Sequence, residues 1–295
     1  MTSARQISSA KYTKATLVYI VCGLLALGMV MPFIWSVLTS LKPDNEIFQL
    51  PIKWLPSRIT FEHYIKAFTT VPFGLYFWNS FYLALMGVLF NLFLGSLSGY
   101  AFAKFHFKGK EVYFRILLAA MMIPGIVTMI PTFFVLNHFP LLGGNNVLGD
   151  GGFGLLNSYW AVILPGASGP FAVFFMRQFF VSLPNDMLEM ARIEGSGEFR
   201  IFWRIYLPLT KPALATLGIF TFQAGWNSFL WPLIVLNDPS KKTIQMGLQA
   251  FSYNHKVQYG PMMAAAFVAI LPILILFLYL QKYFVQGIAF SGVKG

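Results

Sequence analysis

PMMAAAFVAILPILILFLYL (residues 261–280) is a run of twenty residues without a charged side chain. A helix needs about 20 mostly apolar residues to cross the hydrocarbon core of a bilayer, so this stretch indicates a membrane-spanning helix. The whole chain of 295 residues has the same character, because 57% of it is hydrophobic and only 11% is charged. Soluble domains carry roughly 25% charged residues. The sequence therefore predicts an integral membrane protein.

Six segments are long and apolar enough to span a bilayer. They lie at residues 16–40, 76–103, 113–136, 158–181, 212–236 and 261–285. The first is too long for a signal-peptide core and has no small-residue cleavage site after it, so we expect it to stay in place. The predicted fold is an all-α membrane protein with six transmembrane helices over residues 16–285. Residues 1–15 and 286–295 form the terminal segments.

The orientation follows from the basic residues. An even number of spans places both termini on one side, and that side carries 14 of the 21 Lys and Arg residues. Basic residues in short loops favour the cytoplasm. We therefore predict a multi-pass protein of the cell (inner) membrane, with both termini cytoplasmic and the loop 182–211 between spans four and five on the same side. The net charge of +11 is explained by this topology, which removes nucleic acid as a partner and leaves membrane lipid.

The spans lack the groups that self-driven transport requires. All ten acidic residues lie in loops or at span edges, and no G-x-x-x-x-G-K-[ST] phosphate-binding loop occurs. Ion-driven carriers usually keep an ionisable group near the membrane centre. If this chain moves a solute uphill, a partner must supply the energy. We predict no bound metal or cofactor, and the single Cys22 permits no internal disulfide.

The most charged stretch of the chain is DMLEMARIEGSGEFRIFWRIYLP (residues 186–208), within the loop 182–211, here called the charged loop. Pro184 fits the first turn of a short helix, with Ser182 or Asp186 available as its N-cap. Gly195 is predicted to end that helix.

A second helix follows. Ser196 can cap it, and Pro208 closes it. Four aromatic residues recur at the spacing of one helical face, namely Phe199, Phe202, Trp203 and Tyr206. Such an amphipathic helix suits the membrane interface. We therefore interpret the charged loop as an ordered docking element presented to a cytoplasmic partner.

The charged loop resembles a known signature, that of the permease subunits of ATP-binding-cassette importers. Their loop has the form E-A-A-x-x-D-G-A followed by I-x-L-P. The matching stretch here is EMARIEGS (residues 189–196), and I-Y-L-P follows at residues 205–208. The sequence departs from the signature at Met190, Glu194 and Ser196.

The tail FVQGIAFSGVKG (residues 284–295) is similar to that of the maltose-type carbohydrate permeases, specifically the smaller of the paired subunits. This resemblance covers essentially the whole chain. It implies a non-enzymatic permease subunit of an importer for an oligosaccharide or related sugar. The implied partners are a second permease subunit, two copies of a cytoplasmic ATPase that bind ATP and Mg²⁺, and an extracytoplasmic sugar-binding protein.

The resemblance also implies residue roles. In this family the short helix of the loop is a coupling helix that sits in a cleft of the ATPase. The expected coupling residues are Glu189, Ala191, Arg192, Glu194, Gly195, Ser196 and Pro208. The tail residues expected to contact the ATPase are Gly292, Val293, Lys294 and Gly295.

Two outer segments would face the binding protein. One is residues 42–75, with Trp54, His63 and Tyr64, and the other is LLGGNNVLGDGG (residues 141–152), here called the glycine-rich loop. A plain flexible connection is the alternative interpretation of the glycine-rich loop.

A sugar path should be lined by polar groups and aromatic faces within an apolar wall. The candidates are Gln223, Trp226, Asn227 and Phe229 in the fifth span, and Asn79 and Asn91 in the second. The alternative is that the amides form interhelical hydrogen bonds and that Trp226 and Trp231 anchor the membrane interface. Both interpretations stay open.

PGASGP (residues 165–170) offers an alternative function, because its G-x-S-G is how an intramembrane serine hydrolase of the rhomboid type presents its nucleophile. That chemistry needs a histidine within hydrogen-bond reach of Ser168. All four histidines lie in loops or at span ends. We therefore favour a kinked helix whose small residues allow close packing, and we interpret GSLSG (residues 95–99) as a packing face too.

Overall fold

The computed structural model describes the backbone of residues 2–252 and 257–292 and the side chains of residues 15–252 and 257–282. Within these ranges the chain is helical and has no β-strand. The α-helices are α1 Thr2–Ser40, α2 Glu62–Thr70, α3 Phe73–Lys104, α4 Lys110–Met121, α5 Gly125–Asn137, α6 Tyr159–Ile163, α7 Pro170–Ser182, α8 Asp186–Ile193, α9 Glu198–Ile201, α10 Leu207–Leu209, α11 Lys211–Trp226, α12 Leu230–Val235, α13 Ile244–Gln249 and α14 Tyr259–Gly292. A π-helical turn, Phe202–Tyr206, joins α9 to α10.

Three helices are long and apolar enough to cross a membrane unaided. They are Ala15–Ser40 of α1, the whole of α3, and Tyr259–Lys282 of α14. The described residues give up to six spans if each of three bent helix pairs counts as one. The predicted all-α membrane fold is confirmed, and six spans agree with the upper count.

The third, fourth and fifth predicted spans are broken. The sequence predicted the kink in the fourth span, at residues 165–170, but continuous helices for the third and fifth. α4 and α5 meet at 106°, and α6 with its following 3-10 turn meets α7 at 41°. The fifth segment stops at Trp226 and resumes at Leu230, while α11 is bent by 80° against the loop helix Glu198–Leu209. Prolines explain the breaks, because Pro124, Pro170 and Pro232 cannot donate the hydrogen bond that continues a helix.

The chain forms two compact units, one of Met1–Val71 with Leu248–Ile270 and the other of Pro72–Gly247 with Leu271–Gly295. In the first unit, hydrogen bonds fold the segment that follows α1. His63 Nε2 lies 2.7 Å from the carbonyl oxygen of Lys42, and Ser40 Oγ lies 2.8 Å from the hydroxyl of Tyr64. His63 is fully buried, so its predicted place on an exposed outer surface is wrong. Trp54 is 56% exposed and does belong to the surface.

In the second unit, α3 and α7 approach each other closely through glycine. A Cβ atom built on Gly95 would lie 2.8 Å from the Cβ of Ala172, and one built on Gly99 would lie 2.8 Å from the Cβ of Met176. Real Cβ atoms do not come so near, so these positions require glycine. The predicted packing face at residues 95–99 is confirmed.

The break in the fourth span is repaired by a side chain of α3. Because Pro170 has no N–H, the carbonyl group of Gly166 loses its helical donor. Asn91 Nδ2 donates to that oxygen at 2.7 Å. A polar side chain thus satisfies a backbone group that lipid could not satisfy.

A hydrophobic cluster of the second unit lies behind the charged loop, and we call it the loop-side core. Its buried members include Tyr100, Met176, Phe180, Phe202, Tyr206 and Leu217. It joins α3, α7, the π-helical turn and α11, so the charged loop is built on the helices that make up the bundle.

Candidate functional site

The first helix of the charged loop, α8, begins at Asp186, and no side chain caps it. The predictions that Pro184 lies in its first turn and that Ser182 or Asp186 caps it are therefore wrong. Ser182 still belongs to α7, where its hydroxyl donates to the carbonyl of Phe179 at 2.7 Å. The residue before α8 is Asn185, whose side chain is occupied by a bond from α3.

That bond comes from Lys104, the last residue of α3, which is only 6% exposed. Its Nζ donates to the carbonyl oxygen of Leu183 and to Oδ1 of Asn185, both at 2.7 Å. The hydroxyl of Tyr206 donates to the carbonyl oxygen of Pro184 at 2.9 Å. The sequence indicated only a topological role for Lys104, since nothing local shows that it reaches residues about 80 positions away.

The end of α8 agrees with the prediction. Gly195 has a φ of +77°, a conformation that glycine adopts without strain. The N–H of Gly195 donates to the carbonyl of Arg192 at 3.0 Å, and the N–H of Ser196 donates to the carbonyl of Ala191 at 2.9 Å. These two bonds form a Schellman motif. Ser196 thus belongs to the end of α8, and its predicted capping of the next helix is wrong, because Gly197 precedes α9.

The two faces of α8 differ sharply in exposure. Leu188 and Ala191 are buried in the loop-side core. Met190 and Ile193 are 58% and 86% exposed, although both are apolar. Glu189, Glu194 and Gly195 are also exposed. An apolar surface rimmed by carboxylates, on an ordered helix, marks a site where another molecule docks.

The second helix of the charged loop divides its aromatic residues. Phe202 and Tyr206 are buried, and their rings lie 5.2 and 5.3 Å from that of Tyr100. Phe199 and Trp203 are 64% and 50% exposed. The predicted single aromatic face is therefore wrong. The reason is packing, because Phe202 and Tyr206 turn to Tyr100 in the loop-side core and leave Phe199 and Trp203 on the exposed side of the helix.

An ion pair closes the elbow between the two helices. Arg192 Nε lies 2.6 Å from Oε1 of Glu198. The hydrogen bond to Glu198 raises the pKa of the Arg192 guanidinium above its ordinary value. Both side chains are about two-fifths exposed, so the pair contributes little to stability.

The remaining predicted coupling residues are placed as follows. Pro208 lies exposed in α10. Gly292 is the last residue of α14, and Val293, Lys294 and Gly295 lie outside the described residues.

The candidate path residues of α3 are both engaged with the protein. Asn79 Nδ2 donates to the carbonyl groups of Ser240 and Lys242 at 2.8 and 2.9 Å, and its Oδ1 accepts from Tyr159 at 2.8 Å. Asn91 binds the Gly166 carbonyl, as described above. These contacts agree with the interpretation that the two amides form interhelical hydrogen bonds.

The candidates at the break after α11 are more open. Gln223 and Asn227 are exposed, and Phe229 is half-buried. Trp226 is only 1% exposed, and its ring stacks on that of Phe222 with centroids 5.7 Å apart. The amides therefore present an accessible polar surface at the break, while Trp226 packs behind it.

Hydrogen bonds of Asn145 cross the glycine-rich loop. Asn145 Nδ2 donates to the carbonyl groups of Asn137 and Phe139 at 2.8 and 3.1 Å, and its Oδ1 accepts from the N–H of Gly152 at 2.7 Å. The tip residue Leu148 is 82% exposed. The loop therefore presents an apolar residue at its tip.

Ser168 is exposed at the break between α6 and α7. Among the described residues, no hydrogen bond joins it to a histidine. His138 Nδ1 bonds the carbonyl of Phe134 instead, and His255 lies outside the described residues. The described residues thus contain no assembled nucleophile and base at Ser168.

An apolar helical bundle with broken spans and an ordered docking loop defines a class of protein, a membrane-embedded transport component that works with a partner. The family described as "Binding-protein-dependent transport system inner membrane component" matches residues 91–290. The chain belongs to this family.

Two relatives show how far the similarity extends. The arabinooligosaccharides transport system permease protein AraQ of Bacillus subtilis (strain 168) is 37% identical over 276 residues, which cover 92% of this chain and 93% of AraQ. The diacetylchitobiose uptake system permease protein NgcG of Streptomyces coelicolor is 31% identical, over 95% of this chain and 89% of NgcG. The predicted family and the prediction of a permease subunit, not an enzyme, are confirmed.

A solved structure shares the fold. It is a bacterial ABC transporter involved in the import of the acidic polysaccharide alginate, one chain of which superposes with a TM-score of 0.77. The two chains are 24% identical, and the match covers 93% of this chain and 98% of the other. A second solved structure, of that type of transporter in complex with an alginate-bound periplasmic protein, matches with a TM-score of 0.66 at 16% identity, over 94% of each chain.

Proposed function

We propose that this chain forms half of the translocation path of an ATP-driven sugar importer and couples to a cytoplasmic ATPase through residues 184–208. Its partners are a second permease subunit, two copies of the ATPase, which hold ATP and Mg²⁺, and an extracytoplasmic sugar-binding protein. Both termini lie in the cytoplasm, and the tail from Gly292 to Gly295 contacts the ATPase. The chain itself binds no cofactor.

The observation that carries the coupling proposal is the outer face of α8. Ile193 is 86% exposed and Met190 is 58% exposed, so the helix leaves apolar area uncovered while its inner face is anchored in the loop-side core. Lys104 holds the start of the loop to α3. A push on α8 would therefore be passed directly to a membrane-spanning helix.

The substrate proposal comes from the relatives. AraQ is named for arabinooligosaccharides, NgcG for diacetylchitobiose and LacG of Rhizobium radiobacter for lactose. We infer an oligosaccharide or related sugar as the substrate. The exposed tip of the glycine-rich loop and the exposed Trp54 supply surfaces that suit the binding protein, and Gln223 and Asn227 are the candidates that contact the sugar.

The alternative of a serine hydrolase of rhomboid type at Ser168 has no supporting observation, because no histidine is bonded to that hydroxyl within the described part of the chain. We expect Ser168→Ala to leave transport by the assembled complex intact.

The test is transport by the complex reconstituted in liposomes with its ATPase, partner permease and binding protein. Gly195→Asp and Gly195→Asn form a matched pair of nearly equal size, since asparagine tolerates the left-handed conformation and carries no charge. We expect Gly195→Asp to reach the membrane and pair with the second permease, yet to lose ATPase binding or sugar-stimulated hydrolysis. Gly195→Asn should keep more of both. Wild-type transport and ATPase co-purification in the Gly195→Asp complex would contradict the coupling role.

A further inference from the structure

The segment that follows α12 is fixed to the beginning of α3. Asn79 Nδ2 donates to the carbonyl groups of Ser240 and Lys242 at 2.8 and 2.9 Å. The next residue of α3, Ser80, accepts at its buried Oγ the N–H of Ile244, the first residue of α13, at 2.8 Å. Two adjacent side chains of α3 thus set the position of the start of α13.

A close contact sets the rotation of α13 as well. A Cβ atom built on Gly247 would lie 2.8 Å from the ring of Tyr76 and 3.7 Å from that of Phe73. The glycine face of α13 therefore rests against α3. Gln245 lies on another face, which is turned to the break after α11.

At that break, Gln245 lies close to Trp226 and Asn227. Its Nε2 lies 3.3 Å from Oδ1 of Asn227 and 3.5 Å from the carbonyl oxygen of Trp226. Asn227 in turn follows Gln223 by one helical turn, with its N–H 3.0 Å from the Gln223 carbonyl oxygen. Gln223, Asn227 and Gln245 therefore place three side-chain amides at or next to this break, and we call them the amide row.

The amide row is not saturated. No hydrogen bond involves the Gln223 side chain among the described residues, and Gln223 and Asn227 are both exposed. An amide without a hydrogen-bond partner is costly to place in lipid. The amide row should therefore face water, a partner subunit or a polar solute. In a transport component, the transported molecule is such a polar solute.

The chemistry of the row indicates the class of solute. Each amide offers a donor and an acceptor in one plane, which suits adjacent hydroxyl groups of a sugar ring. Two charged groups of the same segment are engaged within the protein, because Lys241 Nζ donates to the carbonyl of Asn157 at 2.7 Å and Asp238 accepts from Ser240. The amide row carries no charge, whereas a subsite for an acidic glycan would require positively charged groups.

We propose that Gln245 is a sugar-contacting residue and that the amide row is a subsite for the hydroxyl groups of an uncharged oligosaccharide. The proposal rests on the proposed function as a sugar importer. Gln245 determines specificity by adding to the path a third amide, from an element outside the fifth span.

The test uses the complete complex in liposomes with its sugar-binding protein. Uptake of arabinotriose, lactose and diacetylchitobiose is measured first for the wild type, then for Gln245→Leu and Gln245→Asn. Gln249→Ala, an exposed residue one turn further along α13, is the matched control. We expect Gln245→Leu to lower kcat/KM about tenfold for the transported sugar and to change the ratio between sugars. Gln245→Asn should recover part of the loss, and Gln249→Ala should change neither.

Thermal stability and the affinity of the binding protein should stay at wild-type values in the Gln245 variants. Two results would overturn the proposal while leaving the importer function intact. One is unchanged uptake in Gln245→Leu, and the other is an equal loss for every sugar together with lower thermal stability, which would mean that Gln245 only braces the break. Failure of the wild-type complex to take up any sugar would instead overturn the proposed function, and this inference with it.

Discussion

Two connections of this molecule depend on glycine for opposite reasons. In the charged loop, Gly195 has a φ of +77°, and a Cβ atom built on it would have no neighbour within 4 Å. Two residues after the glycine-rich loop, Gly154 has a φ of +57°, and a built Cβ would overlap the carbonyl oxygens of Leu136 and Asn137. That connection therefore needs Gly154 for internal packing. The elbow needs Gly195 for its conformation alone, and the space around it stays open to another molecule.

The largest effect on stability is expected at Gly154. Gly154→Ala forces a methyl group onto two backbone carbonyl oxygens and places a non-glycine residue at positive φ. We expect a loss of about 3 kcal/mol, measured as a lower thermal unfolding temperature of the purified complex. Gly125→Ala is the control, because a Cβ there meets nothing within 4 Å. Equal unfolding temperatures for the two variants would remove the distinction between packed and open glycines.

The comparison between packed and open glycines also applies to Gly99, which lies between α3 and α7. Gly99→Ala would bring a Cβ atom to 2.8 Å from the Cβ of Met176 and 2.9 Å from the backbone nitrogen of Arg177, so α3 and α7 must move apart. We expect a loss of about 2 kcal/mol in the same unfolding measurement. On the same helix, Gly87 has no neighbour within 4 Å, and Gly87→Ala should be neutral or slightly stabilising. Loss of stability in Gly87→Ala alone would contradict this packing.

The order of the elbow should depend on Lys104 rather than on glycine packing. Lys104→Met removes the donor to Leu183 and Asn185 and leaves both acceptors in place, at a cost of about 1–3 kcal/mol. A spin label at position 193 should become more mobile, and sugar-stimulated ATP hydrolysis should fall. Lys108→Met, at an exposed position nearby, is the control. Unchanged label mobility in Lys104→Met would show that the loop-side core alone holds α8.

The smallest effect is expected at the ion pair across the elbow. Arg192→Gln breaks the contact with Glu198, but both side chains are partly exposed. We expect little or no change in the unfolding temperature. A change in ATPase coupling without a change in unfolding temperature would assign Arg192 to the docking surface. A loss of stability beyond that of Gly99→Ala would mean that the elbow depends on this pair.

Local signals in the sequence were sufficient where a short motif sets the structure. The apolar runs predicted the helical membrane fold, Gly195 predicted the end of α8, and GSLSG predicted a packing face. Each of these depends on residues a few positions apart, so neighbouring residues carry the information.

Predictions from the sequence were wrong where residues far apart in the chain determine the structure. Ser182 and Asp186 were predicted as caps, but Lys104 from α3 occupies the start of the loop. The aromatic face of the second helix divides because Phe202 and Tyr206 pack on Tyr100 of α3. They lie in a π-helical turn that the spacing of the residues does not predict. His63 is buried by contacts within its own unit, and Gln245 was overlooked because its meeting with Asn227 depends on how α13 is held. The coupling residues and the cytoplasmic termini stay predictions.

The most direct test of the coupling role is whether the outer face of α8 touches the ATPase. Ile193→Cys, in a chain whose native cysteine is removed by Cys22→Ser, would carry a photoactivatable cross-linker in the assembled complex. Phe199→Cys is the matched control, because Phe199 is 64% exposed in the same loop but belongs to the second helix. We predict a cross-linked product of this chain with one ATPase subunit from position 193 and little from position 199. No ATPase product from position 193, in a complex that still transports sugar, would contradict the account.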